Sequence, residues 1–281
     1  MVGVDPGGCE GALEYAAADA ERRGTGVHLV HVLRPPGWWA SDSDLLAREA
    51  GDLRDRGHRL LSESAARTHE LWGSAECPLT PAVSTELSQG SAVAVLGTLS
   101  REAEVVVLQH HGWGPRGETS TLSVTAGLAA VSHAPVVAVP DRWRSPVSPG
   151  RVLVAVDDPL VDRAVLDAAA AEARRRGVEL TAVQVAAVGC PEPRLFAGTD
   201  VPLTVVSSSL APPDVLAELT DGCDLLVVGR HHRRHVVGAI LGRTVRDLLR
   251  RLDVPVLVVD PLDLTAGGRT RPIPVSALPG A

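Results

Sequence analysis

Short apolar runs alternate with longer stretches in which Ala, Leu and charged residues recur at helical spacing, from the first residue to about residue 261. The pattern predicts strands at 1–5, 26–33, 79–85, 104–109 and 135–139, with helices at 9–23, 43–72, 88–101 and 120–132 between them. It then starts again, with strands at 151–156, 178–185, 201–207, 224–229 and 254–259 and helices at 160–176, 212–221 and 237–251. Strands alternating with helices predict parallel sheets with right-handed crossovers and helices on both faces. The strand runs are apolar at nearly every position, as strands covered on both sides must be.

The second series repeats the first. MVGVD at Met1–Asp5 matches VLVAVD at Val152–Asp157, and the Ala-rich stretches GALEYAAADAERRG and RAVLDAAAAEARRRG follow, closed by Gly24 and Gly177. VHLVHVL matches VELTAVQV, VVVLQHH matches LVVGRHH, and APVVAVP matches VPVLVVD. Asp5 pairs with Asp157 and Val32 with Val185, while Leu108 pairs with Gly229 and Pro135 with Pro255 at a shift about thirty residues smaller. The segment without a counterpart is Ser41–Trp72, so the second copy is expected to lack that helix. The reading is two domains, 1–142 and 151–261, a linker at 143–150 marked by Pro146 and Pro149, and a disordered tail at 262–281 rich in Gly and Pro. The last strands, Pro135–Val139 and Pro255–Val259, are expected to join the copies, since an apolar edge left unpaired invites aggregation. The first strand starts at the initiator Met and is short, which raises the question whether Met1 is the true start.

Composition narrows the chemistry. The net charge of −7 and the lack of a basic tract argue against nucleic acid as partner. All basic side chains are Arg, so neither a phosphate loop ending in Gly-Lys-Ser/Thr nor a Schiff-base lysine is available. Cys9, Cys77, Cys190 and Cys223 are too scattered for a zinc knuckle or a disulfide framework, which fits a reducing, cytoplasmic setting. No apolar run reaches the length of a membrane span.

In such a sheet, ligands bind beyond the carboxyl ends of the strands, where strand order reverses. There each copy brings the Asp that ends its first strand, the end of its second strand, and the loop after its fourth. In copy two that loop is GRHHRRHVVGAILGRTVRD, with Gly229 and Gly242 flanking the turn. Here the chain resembles the universal stress protein family, whose nucleotide-binding members carry G-x2-G-x9-G-(S/T) in this loop. The resemblance covers about residues 1–140 and 150–261. It implies two tandem Rossmann-like domains of the adenine nucleotide alpha hydrolase-like α/β class, each a five-stranded parallel sheet, packed as an intramolecular pseudo-dimer with further homodimerisation open. It also implies ATP as candidate cofactor: Asp157 and Val185 toward the adenosine, Gly229 and Gly242 toward ribose and phosphates. His232 stands at the second Gly of the motif and Arg243 at the Ser/Thr. In copy one Asp5 and Val32 are kept, Leu108 and Leu122 take the first and third Gly positions with one extra residue between them, and Ser123 supplies the hydroxyl.

Plainer readings stand beside these. Asp5 and Asp157 suit Asx-type turns, and Arg233, Arg234 and Arg243 suit a solvated surface cluster. His110, His111, His231, His232 and His235 have no Cys or carboxylate at ligand spacing, so no metal is expected. No nucleophile with a base at recognisable spacing is present, which favours a non-enzymatic binding module that takes adenine nucleotide in copy two. Two alternatives stay open: a pseudo-dimeric scaffold for a protein partner without nucleotide, and an enzyme of the adenine nucleotide α-hydrolase group.

Overall fold

The computed structural model describes residues 1–34, 43–73, 81–110, 124–156, 162–185, 200–208, 212–230 and 242–261. The strands, in chain order, are β1 Val2–Gly3, β2 Val27–Leu33, β3 Val83–Gln89, β4 Val106–His110, β5 Val136–Pro140, β6 Arg151–Val156, β7 Leu180–Val185, β8 Leu203–Ser208, β9 Cys223–Gly229 and β10 Val256–Val259. The helices are α1 Glu10–Arg23, α2 Ser43–Leu71, α3 Ala92–Leu99, α4 Val124–Val131, α5 Arg163–Arg176, α6 Pro212–Leu219 and α7 Arg243–Arg251.

All ten strands form one sheet in the order β3-β2-β1-β4-β5-β10-β9-β6-β7-β8. Within each half the pairing is parallel. The halves meet at a single antiparallel pair, β5 with β10, where Leu257 opposes Val137. Each half therefore reverses strand order beside its first strand, which is where a crevice opens.

One face of the sheet packs under α1, α2 and α5, through Leu13, Leu61, Val165 and Leu166. The other packs under α3, α4, α6 and α7, through Leu96, Leu128, Leu216 and Leu248. The helices α1 and α5 close identically. Gly24 and Gly177 take left-handed φ values of 66° and 67°, and each caps carbonyls of the last turn, a conformation that strains any residue with a Cβ.

Several boundaries depart from the sequence pattern. β1 has only two paired residues rather than five, because the chain turns outward at Asp5 after Val4 bonds Val30 O. β3 starts at Val83 rather than 79; it is an edge strand, VSTELSQ, whose polar alternation the apolar pattern passes over. The helix expected at 88–101 starts after Gly90 (φ 141°) and spans Ala92–Leu99. The helix expected at 237–251 does not run through, since Gly242 has ψ 150° and α7 begins after it. The expected loss of a helix in the second half falls on residues 186–199, outside the described residues, as does the tail 262–281.

Candidate functional site

Strand register settles which residues of the two halves correspond. Val2 opposes Val107 in the first half and Val154 opposes Val227 in the second, so with the first strands matched at a shift of 152 the fourth strands match at a shift of 120. Gly229 therefore corresponds to Gln109, not to Leu108. With that register, positions 109, 112, 122 and 123 match 229, 232, 242 and 243, and no extra residue is needed between them. The two loops have lost different parts of one motif: the first keeps Gly112 and Ser123, the second Gly229 and Gly242. The first strands keep the shift of 152 that pairs Asp5 with Asp157.

At the crevice of the first half, Gln109 is buried and its side chain is fully engaged. Its Oε1 accepts the Ala12 N–H at 2.8 Å, inside the first turn of α1, and its Nε2 donates to Val139 O at 3.3 Å. The first turn of α1 thus spends one of its free amides on the protein itself. Leu108 points to the opposite face, packed against Leu96 and against the backbone of Gly3, where an added Cβ would lie 2.3 Å from Leu108 Cδ2. Asp5 is exposed, and its Oδ1 accepts the Gly7 N–H at 2.6 Å in an Asx-type turn. Val32 is half-buried on β2, opposite Ser88.

In the second half Gly229 ends β9 with no side chain, facing the first turn of α5. A Cβ there would stand 3.2 Å from Val165 Cγ2 and 3.9 Å from Asp162 Oδ1. Gly242 is the N-cap of α7 with φ −56°, a conformation open to any residue, so backbone geometry does not require glycine. The N-terminus of α7 carries the free amides and positive dipole end that suit an anion. Val185 closes β7 opposite Ser208, and Arg243 opens α7. Asp157, His232, Ser123 and Leu122 lie outside the described residues.

Two features escape a reading by sequence. Arg230, next to Gly229, is buried and leaves its own half: its Nη1 donates to Ser132 O at 3.1 Å and Ala129 O at 3.3 Å, the last carbonyls of α4, and its Nη2 pairs with Asp260. A cation at a helix C-terminus is well placed against the dipole. The second is a charge network between α1 and α5. Glu172 accepts Arg23 at 2.5 Å and Arg175 at 2.6 Å, while Asp19 accepts Arg23 at 2.6 Å and lies 3.5 Å from Arg22 and 4.0 Å from Arg176. Asp19, Arg22 and Arg23 sit 153 positions before Glu172, Arg175 and Arg176, so the same side chains face each other across the pseudo-twofold axis.

Among the described residues, no three His, Cys, Asp or Glu side chains are placed to hold a metal, and no helix is long and apolar enough to cross a membrane. His111, His231 and His235 lie outside the described residues. Burial pushes the Cys9 thiol above its ordinary range and that of Cys223 to about 11, so neither is a ready nucleophile.

Duplicated halves, strand order 3-2-1-4-5 in each, and a glycine-bearing loop into a helix N-terminus define a tandem α/β protein of the Rossmann-like class. The chain belongs to the universal stress protein family, whose model matches residues 1–140 and 192–260. It is 27% identical to universal stress protein Rv1996 of Mycobacterium tuberculosis, over 92% of this chain and 93% of that one. It is 29% identical to Rv2005c of the same organism, over 92% and 95%. The fold is shared with a universal stress protein from Archaeoglobus fulgidus (TM-score 0.73, 19% identity, 92% and 98% covered) and a putative one from Pseudomonas aeruginosa (TM-score 0.58, 18% identity, 92% of each).

Proposed function

We infer that this chain is a stress-response binding module that takes one adenine nucleotide, ATP, in the crevice of its second half. Asp157 and Val185 serve the adenosine end; Gly229, His232, Gly242 and Arg243 serve ribose and phosphates. No catalytic residue is assigned, and the reading is non-enzymatic. The observation that carries it is Gly242 at the N-cap of α7, a residue without a side chain where the free amides of a helix N-terminus suit a phosphate. The first half is read as degenerate, because Gln109 fills the place that Gly229 leaves open and ties up an α1 amide.

Calorimetric titration of the full chain with ATP and magnesium tests this. The five tryptophans, at 38, 39, 72, 113 and 143, all lie in the first half or its linker, so heat is a better readout than emission. One ATP per chain is expected, lost in Gly242→Leu, which places in the second loop the residue the first loop has at 122. Gly229→Val is a poorer test, since its side chain would press on Val165 with or without ligand. No heat from the native chain, or binding that survives Gly242→Leu, overturns the assignment. The first of these results supports a scaffold that joins partners without nucleotide.

A further inference from the structure

Where the chain crosses from β5 to β6 over residues 141–150, its linker lines one side of an open cleft of about 270 Å³ at the α1–α5 junction. Tyr15 and Trp143 form an aromatic wall, edge to face with ring centres 5.7 Å apart, and both are buried. Arg22 on α1 and Arg176 on α5 supply two cations and Asp224 one anion, and Ala18 of α1 also lines the space.

The four network arginines are not equally served. Arg175 donates to Glu172 at 2.6 Å, but its counterpart Arg22 comes only within 3.5 Å of Asp19, whose side chain is one methylene shorter. The Nε–H groups of Arg22, Arg175 and Arg176 are all buried without an acceptor, but Arg175 and Arg176 each place another guanidinium nitrogen in a short hydrogen bond, whereas Arg22 reaches its carboxylate only at 3.5 Å. Arg176 is held by Tyr15 Oη at 2.7 Å and by Glu172 at 3.6 Å. Asp224 Oδ2 is already taken by the Gly150 N–H at 2.9 Å, which turns that carboxylate toward the linker backbone. The pseudo-twofold mate of this place differs: Ala168 stands where Tyr15 does, and Arg23, the mate of Arg176, is bound at short range by both network carboxylates. The aromatic pair and the under-served arginine thus occur together, on the side the linker lines. A partly buried guanidinium, here 26% exposed, that is short of acceptors is improved by an anion that completes it, and its planar fork suits a carboxylate or phosphate.

The geometry points to a second ligand site, distinct from the nucleotide crevice, for a small organic anion with a flat apolar body: carboxylate on Arg22, ring against Trp143 and Tyr15. The volume falls just below the roughly 300–1,000 Å³ of pockets for larger ligands, so the ligand is small.

Benzoate serves as probe, with neutral benzamide and inorganic phosphate as controls, each titrated into the full chain while tryptophan emission and the thermal midpoint are followed. Benzoate is expected to quench emission saturably and raise the midpoint, with benzamide inert and phosphate much weaker. Arg22→Gln is expected to weaken benzoate by about tenfold or more, the loss of a charge-assisted hydrogen bond. Ala18→Leu, which fills the cleft without removing a charge, is expected to abolish the response, and Gly242→Leu to leave it intact. A native chain that ignores benzoate overturns the site, as does benzamide or phosphate matching it. So does a benzoate response unchanged in both Arg22→Gln and Ala18→Leu.

Discussion

Replacing Glu172 by Gln is the most direct way to weigh the network that joins the halves. The carboxylate is 2% exposed and accepts two guanidinium donors at 2.5 and 2.6 Å, with a third at 3.6 Å. Glutamine keeps the shape but presents an NH₂ to cations and removes one of the two buried carboxylate charges, Glu172 and Asp19, that balance them. Breaking a buried pair costs about 3–5 kcal/mol, because the remaining charge is stranded. The lower end applies here: Arg175 is 30% exposed, so water recovers part of its charge, whereas Arg23 at 13% and Arg176 at 9% are shielded. The expected loss is about 3 kcal/mol, or roughly 6–12 °C in Tm for a chain of this size. Glu172→Asp, which gives the reach Asp19 already has, should lose about 1 kcal/mol. Asp19→Asn should fall between, since Asp19 has one short contact against two. Urea unfolding followed by circular dichroism reads all three variants, with an unchanged denaturant slope confirming a common transition. Glu172→Gln within about 1 kcal/mol of the native chain, or less damaging than Asp19→Asn, would refute the view that this network is a principal tie between the halves.

Two further outcomes follow from packing. Gly3→Ala should destabilise by about 1–3 kcal/mol, because its Cβ would lie 2.3 Å from Leu108 Cδ2; the double variant with Leu108→Ala should be more stable than the two losses added, read as coupling in a double-mutant cycle. Leu257→Ala, at the centre of the β5–β10 pair and 3% exposed, should cost about 2–5 kcal/mol in the same urea assay.

The order of elements was legible because Ala-rich helical stretches and all-apolar strands differ in length and period, and because each occurs twice. Register within the strands was not. VVVLQHH and LVVGRHH open with the apolar runs VVVL and LVV, which are buried on both faces of the sheet, so nothing in those runs marks which face a residue takes, and pairing Leu108 with Gly229 is one residue off. The ladder corrects it by placing Leu108 under α3 and Gln109 under α1. The polar edge strand β3 and the break at Gly242 went astray for a related reason, since local apolarity says nothing about where pairing or a helix stops. The α1–α5 network did leave a signal: acidic and basic residues at the same positions of both repeats, on helices whose commonest residue is Ala. Two copies of one helix bearing a self-complementary charge pattern are what a twofold contact needs. Asp157, His232 and Arg243 rest on motif spacing, and Gly242 rests on motif spacing and on its place at the N-cap of α7.

The single antiparallel pair at the middle of the sheet also has a genetic consequence. In a homodimer built from one gene, any codon change alters both crevices at once, so neither can drift without the other. Here the twofold contact is made inside one chain, and each crevice is encoded separately. That freedom is recorded in the loops: Gly112 and Ser123 survive in one, Gly229 and Gly242 in the other, a division of losses that no symmetric dimer of identical chains could carry. Joining the copies kept the interface under common constraint, through Asp19 and Glu172, while releasing the crevices to diverge.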